Sequence, residues 1–312
     1  MGKKEILYKF KKIDTSVLEM LVQDYIYCAD PTTFNDPFDT KPSVVADISE
    51  YELEKILVKL VSDRIRKETQ AVIKLIKYDN STIVVPIEER CKVLTAKMLN
   101  EVRYYATEPE LQERVSNPRS HLLAQKIRQE LVKIYEKGIF CLSGKYNSHL
   151  MWSHYGDQHK GICIGYKRTK RCDGKLFKVT YGGKREIAAS KIRDMISGDP
   201  VAQSEVDEIA LLRKAACWKY ENELRYIDTF GETYSPFELA EITFGCRCPE
   251  AVKLAVTSAL EAREGNVDFF EMRECVGNFK MMRVELDISE LKICCPKNYH
   301  AIISSFEKAT EI

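Results

Sequence analysis

The stretch "ACWKYENELRYIDTF" sets two carboxylates and a guanidinium at alternate positions, Glu221, Glu223 and Arg225. If a strand runs from about Tyr220, all three share one face. In a cleft, that row offers an ionised carboxylate held by a paired arginine. On an open face it is a ladder of surface charges. A second stretch, "HLMWSHYGDQHKGICIGY" from His149 to Tyr166, gathers histidines, a tryptophan, an acid and tyrosines before an apolar run. Asn147 or Ser148 can cap a short helix there. Trp152 and Tyr155 would then wall a ligand pocket with His154 within a turn; the alternative is a buried histidine satisfied by hydrogen bonds. His154 and His159 make a poor metal pair, because a five-residue offset does not converge on a helix.

Two further stretches carry polar groups among aromatics. In "FNDPF", Phe34 to Phe38, Asn35 and Asp36 can close turns through their own side chains, and Pro37 restricts the residue before it. Two phenylalanines would pin this loop to the core. It is either a structural turn or a rigid loop that presents amide and carboxylate to a ligand. In the opening strand, alternation sends Lys9 to the face opposite Tyr8 and Phe10. On residue preferences alone these are an edge-strand lysine and two core aromatics.

The chain has 312 residues, 45 % hydrophobic and 30 % charged, enough for one large domain or two small ones. A formal charge of +1 gives no global pull toward nucleic acid or an anionic membrane. No stretch is long and apolar enough for a transmembrane helix, and "MGKKEILYKFKKID" has no apolar signal region. "MGKK" also lacks the Ser or Thr of a myristoylation signal. A cytoplasmic protein is the expectation, and its eleven cysteines then read as reduced thiols. Cys246 and Cys248, read as alternating strand positions, and the pair Cys294-Cys295 lack the spacing of a zinc knuckle, so no metal site is expected. GxGxxG, GxxxxGK[ST], HExxH and GxSxG do not occur in a nominating context, and "GGK" at Gly182 is too short to nominate a phosphate loop.

These groups need a scaffold. "ILYKFKKI", "YIYCAD", "GIFCLS", "KGICIGY", "KLFKVTY", "ELRYIDTF", "EITFGC" and "FKMMRVEL" read as short strands. Leu53, Ile56, Leu57, Leu60, Val61 and Ile65 follow a helical period, as do Met98–Ala106 and Leu122–Tyr135, which Gly138 would stop. "SVLEMLVQ", Arg185–Ser197, Val206–Trp218 and a segment opened by Pro249 also read as helices. The fold class is α+β, with a mixed sheet built from strands at both ends of the chain and a large helical insertion. Residues 1–50 and 139–312 form the two parts of one composite core, and 51–138 form the helical lobe.

Leu7–Phe10, Phe34–Asp39, Met151–Tyr166 and Trp218–Arg225, in that order, resemble the uncharacterised bacterial domain-of-unknown-function family 2971. The "FNDPFD" and "MWSHY…KGICI" segments are the specific ones, and the resemblance spans most of the chain. The layout looks like the split, mixed β-sheet of ADP-ribosyltransferases, including the DNA-modifying toxin branch. That resemblance implies NAD as substrate, a nucleotide contact on the first strand at Tyr8 or Lys9, and a catalytic Glu223 or Glu221 on a late strand. The strand "LYKF" carries no His or Arg, which is where the sequence departs from that pattern.

The implied chemistry breaks the nicotinamide–ribose bond. A carboxylate beside the ribose would stabilise the positive charge that builds on the sugar. Trp152 or Tyr155 would stack on nicotinamide, His154, Asn35 and Asp36 would bind ribose or diphosphate edges, and Arg225 would fix a glutamate or meet phosphate. The leading expectation is an ADP-ribosyltransferase or NAD glycohydrolase of toxin or phage-defence type, with a protein or nucleic-acid acceptor. The alternatives are a non-catalytic nucleotide- or partner-binding module and a nucleic-acid-processing enzyme.

Overall fold

Tyr8 and Phe10 alternate with Leu7 and Lys9 along the strand at the middle of the main sheet. The computed structural model describes residues 5–76, 84–135 and 137–295. "MGKK", two pieces of the helical lobe (77–83 and 136) and the end of the last segment from 296 lie outside the described residues. The elements in chain order are β1 (Ile6–Lys11), α1 (Thr15–Gln23), β2 (Tyr25–Cys28), β3 (Ser43–Val45), α2 (Glu50–Ile76), α3 (Val84–Tyr105), α4 (Pro109–Arg114) and α5 (Pro118–Ile134). They continue as β4 (Lys137–Ser143), α6 (His149–His154), β5 (Ile162–Lys167), β6 (Leu176–Lys178), β7 (Thr180–Tyr181), β8 (Glu186–Ala188), α7 (Ala189–Ile196) and α8 (Pro200–Leu211). The last are β9 (Arg213–Lys214), β10 (Glu223–Thr229), β11 (Gly231–Tyr234), β12 (Glu238–Phe244), α9 (Glu250–Leu260), β13 (Asp268–Glu274), β14 (Met281–Glu285) and α10 (Ile288–Cys294). The mixed α+β class read from the sequence is what the chain adopts.

The chain forms two compact units interleaved in sequence: 1–28, 140–178 and 219–312 in the first, 29–139 and 179–218 in the second. The first unit is organised by an eight-stranded sheet in the order β14-β13-β12-β5-β1-β4-β10-β6. Most of its pairings are antiparallel, but β12 and β13 run parallel, so the sheet is mixed. One face carries Leu7, Phe140, Leu142, Ile164, Tyr166, Ile242 and Phe244, packed with Val17, Met20 and Leu21 of α1 and Val256 and Leu260 of α9. Burying each large apolar side chain of this kind contributes about 1.5–3 kcal/mol. The opposite face carries Tyr8, Phe10, Cys163 and Met272 beneath Met151 and Trp152 of α6.

In the second unit, Leu53, Ile56, Leu57, Leu60, Val61 and Ile65 of α2 are all buried, as are Leu123, Ile127 and Leu131 of α5. Their spacing is the periodicity legible in the sequence. Glu130 of α5 is 1 % exposed and accepts hydrogen bonds from Arg64 at 2.7 Å and Lys133 at 2.9 Å, the pairing that makes such burial tolerable. Two small parallel ladders, β3 with β8 and β7 with β9, complete this unit.

Local expectations are corrected in several places. Gly138 lies inside β4, and α5 ends earlier, at Ile134. The helical reading of Arg185–Ser197 divides into β8 and α7, because residues 186–188 pair with β3. α8 starts ahead of Val206, where Asp199 accepts from Val201 and Ala202 backbone N–H groups and Pro200 supplies a favourable first residue. Pro249 is the N-cap of α9 rather than its first turn. Cys246 and Cys248 follow β12 in a turn and do not alternate along a strand. Lys9 is not on an edge, because β1 lies between β5 and β4.

Candidate functional site

The polar groups of the first unit converge on the sheet face that α6 covers. Tyr8 pairs with Ser143, so Cys141 stands on the same face two residues along β4. The Cys141 thiol donates to the Glu223 carboxylate, which places β10's acidic residue on this face as well. Burial, then the Glu223 charge, pushes that thiol far up. Arg225 follows Glu223 at the strand period and grips it through Nε to Oε1 at 2.8 Å and Nη2 to Oε2 at 3.2 Å. Their side chains are 0 % and 4 % exposed, so this is a buried, bidentate pair.

Glu221 reaches the face differently from the strand reading. Residues Ala216–Glu221 form a 3-10 helix, and Asn222 takes φ 45°, a left-handed conformation that asparagine tolerates. Glu221 therefore leaves the strand row, and only Glu223 and Arg225 remain in register. The Glu221 backbone carbonyl accepts from Ser143 Oγ at 2.7 Å, and Gly144 N–H donates to Asn222 O at 3.0 Å, fixing the turn. A Cβ at Gly144 would overlap the Asn222 side chain. The buried Glu221 carboxylate accepts the Tyr155 hydroxyl at 2.8 Å.

α6 is a short helix capped by Ser148, whose side chain accepts from Met151 N–H. It delivers Trp152 inward. Trp152 is wholly buried, donates Nε1–H to Tyr146 O at 2.8 Å, and meets Phe10 edge-on at 5.1 Å between centroids. The sequence reading made Trp152 a wall on which a ligand ring stacks; in the structure it is the strut behind Tyr155. Tyr155 is half-buried, His154 is exposed, and the His154 ring lies 6.3 Å from both Tyr155 and Tyr220. Tyr155, Tyr220 and His154 form the rim above Glu221.

A second glutamate–arginine pair was not nominated by spacing. Glu241 of β12 and Arg283 of β14 are joined across the intervening β13, and Tyr8 donates to Glu241. Burial, reinforced by the Glu241 charge, pushes the Tyr8 phenol well above its ordinary value. The Arg283 guanidinium lies 4.2 Å from the ring centroids of both Tyr146 and Phe270. Gly165 opposite leaves room for this pair, since a Cβ there would overlap Glu241 Cγ. One signal was available: a glutamate inside the apolar strand "ELAEITF" is a residue type seldom buried without a partner.

Lys9 is not part of this face. Its ammonium donates to Cys141 O at 2.8 Å and lies 4.8 Å from the Phe140 ring centroid, on the side of the apolar core. Asn35 and Asp36 belong to the second unit. Asp36 is buried and accepts from Phe38 N–H at 2.8 Å, an Asx-type turn, while Asn35 is exposed. Phe38 does not pin the loop to a core: it is 59 % exposed, and Arg185 covers its ring. Among the described residues, no group of three or more His, Cys, Asp or Glu side chains is placed to hold a metal ion, and no helix is long and apolar enough to cross a membrane.

Residues 151–226, which include the last four residues of α6, the rim and the Glu223–Arg225 pair, match the family profile described as "Protein of unknown function (DUF2971)". No curated protein and no solved structure matches the chain significantly.

Proposed function

We propose that the chain consumes NAD, cleaving its nicotinamide–ribose bond by ADP-ribosyl transfer or hydrolysis. The observation that carries this reading is the presentation of Glu221 beneath Tyr155, Tyr220 and His154, on the side of the sheet that also holds the Glu223–Arg225 pair. The bond electrons leave with the nicotinamide nitrogen, and C1′ of the ribose becomes electron-poor. Glu221, beneath the rim, stabilises that charge; a water or an acceptor group then attacks C1′ and loses its proton. Glu223 is a positioning residue, held by Arg225 beneath the same turn. Tyr155 orients Glu221 and offers a ring face to nicotinamide. A bacterial toxin or phage-defence setting follows from the family resemblance alone.

The test is release of nicotinamide from labelled NAD by the purified chain, beside Glu221→Gln and Glu223→Gln. Release that Glu221→Gln abolishes while its thermal melt stays near that of the parent supports the reading. NAD binding with no release rejects it in favour of a non-catalytic nucleotide-binding module. That second reading has its own observation: Glu223 and Arg225 grip each other in a buried bidentate pair, as a structural ion pair would.

A further inference from the structure

The short sequence "GGK" at Gly182–Lys184 lies, in the structure, along the wall of a cavity of about 470 Å³ in the second unit. Gly182 and Gly183 follow β7 with φ 79° and 78°, a conformation that keeps side chains off this wall and lets a ligand approach the backbone. Lys184, Arg185, Arg213 and Lys214 line the cavity, against one carboxylate in its wall, Glu186, which lies 3.7 Å from the Lys184 ammonium. Two more carboxylates stand behind: Glu208 accepts from Arg213 at 2.9 Å, and Asp39 lies 3.4 Å from the Lys214 ammonium.

One cation of this cavity, Arg185, has donors left for an anion. Arg213 directs Nη1 to Lys184 O at 2.8 Å and Nη2 to Glu208, but its Nε is buried without a hydrogen-bond partner among the described residues. That Nε is closed off from the cavity, so Arg213 contributes charge to the wall and not a free donor. Arg185 makes no ion pair among the described residues. It donates to Lys41 O at 3.2 Å, and its guanidinium lies 4.8 Å from the centroid of the exposed Phe38 ring. A planar guanidinium with donors to spare beside an exposed aromatic face suits a phosphate attached to a flat ring.

We propose that this cavity binds the phosphate of a nucleotide-sized ligand, with Arg185 as the phosphate donor, Arg213 as fixed positive charge in the wall, Lys184 as a mobile countercharge at the mouth, and Phe38 against the ring. The inference rests on the second unit alone and holds whether or not NAD is cleaved. It is tested by calorimetric titration of the full chain with pyrophosphate, ADP and adenosine at low ionic strength. Pyrophosphate and ADP bind at one site, and adenosine binds at least about tenfold more weakly. Arg185→Ala and Lys184→Ala, both at exposed side-chain positions, weaken ADP by about three- to tenfold each, and Arg213→Gln also weakens it. Because Arg213 also ties down Lys184 O, the two surface variants decide the matter if Arg213→Gln does not fold. The proposal is overturned if neither pyrophosphate nor ADP binds, or if both surface variants bind ADP like the parent. It is also overturned if Glu221→Gln abolishes ADP binding, since the anion then sits in the first unit. Loss of nicotinamide release with ADP binding retained rejects only the NAD reading.

Discussion

Arg225 holds Glu223 from two residues along the same strand, with both oxygens of the carboxylate engaged and neither side chain open to solvent. Removing one partner strands the other charge in the interior. Arg225→Ala is expected to lose about 3–5 kcal/mol of folding stability, read from the urea midpoint at constant slope. A loss below about 1 kcal/mol would mean that solvent reaches the pair.

Tyr155→Phe removes a single hydroxyl, the one donated to Glu221. A hydrogen bond to a charged group is worth about 1.5–3 kcal/mol, so a measurable fall in stability accompanies the change. Under the NAD reading, nicotinamide release falls more steeply than affinity for NAD, because the orientation of Glu221 matters most as charge develops. Equal falls in both would make Tyr155 a binding residue only.

Gly245 follows β12 where Arg247 N–H donates to His159 O at 3.0 Å. A Cβ at Gly245 would overlap that same carbonyl oxygen, and backbone yields less readily than a side-chain tip. Gly245→Ala is expected to cost about 1–3 kcal/mol, visible as a lowered thermal midpoint, even though it only adds a methyl group. A midpoint equal to that of the parent would show that the turn relaxes freely.

Burial, helped by the Asp228 charge, pushes the Cys28 thiol up to about 11 from an ordinary 9.0. Between these values the unfolded chain has released a proton that the native chain keeps, so stability falls as pH rises from 9 to 11. Lys11 acts in the opposite sense: burial, then the Lys9 charge, lowers it from 10.5 to about 8, so its share of stability rises over that window. Comparing the parent with Cys28→Ala isolates the thiol. Between pH 9 and 11 the parent loses on the order of 2 kcal/mol more than the variant, measured by urea unfolding at each pH. Parallel pH profiles would contradict the assignment.

The sequence disclosed what local spacing can carry. Alternation around Tyr8 and Phe10 marked β1, short apolar runs marked β4 and β5, and the helical period marked the buried stripe of α2, because each signal is local to one element. Glu221 escaped it, because one left-handed residue, Asn222, turns the chain before the strand begins. β13 escaped as well: "DFFEMRE" follows neither a clean alternation nor an apolar run, and only its neighbours β12 and β14 define it. The Glu241–Arg283 pair is made across an intervening strand, which no spacing along the chain encodes. Trp152 was legible as important but not as inaccessible, since its burial comes from Phe10 and Tyr146 in other segments.

The interleaving of the two units bears on how the protein is made. Leu7 pairs with Tyr166, and the central sheet is complete only when Met281–Glu285 has been added, whereas every segment of the second unit is available by Trp218. At ribosomal rates of about 5–20 residues per second, the first strand waits on the order of ten seconds for a partner. The helical unit is thus able to form during synthesis, while the strand Ile6–Lys11 emerges early with both hydrogen-bonding edges bare. Vectorial synthesis thereby favours the later-starting unit, and the Ile6–Lys11 strand finds its neighbours only once chain beyond the helices has been made.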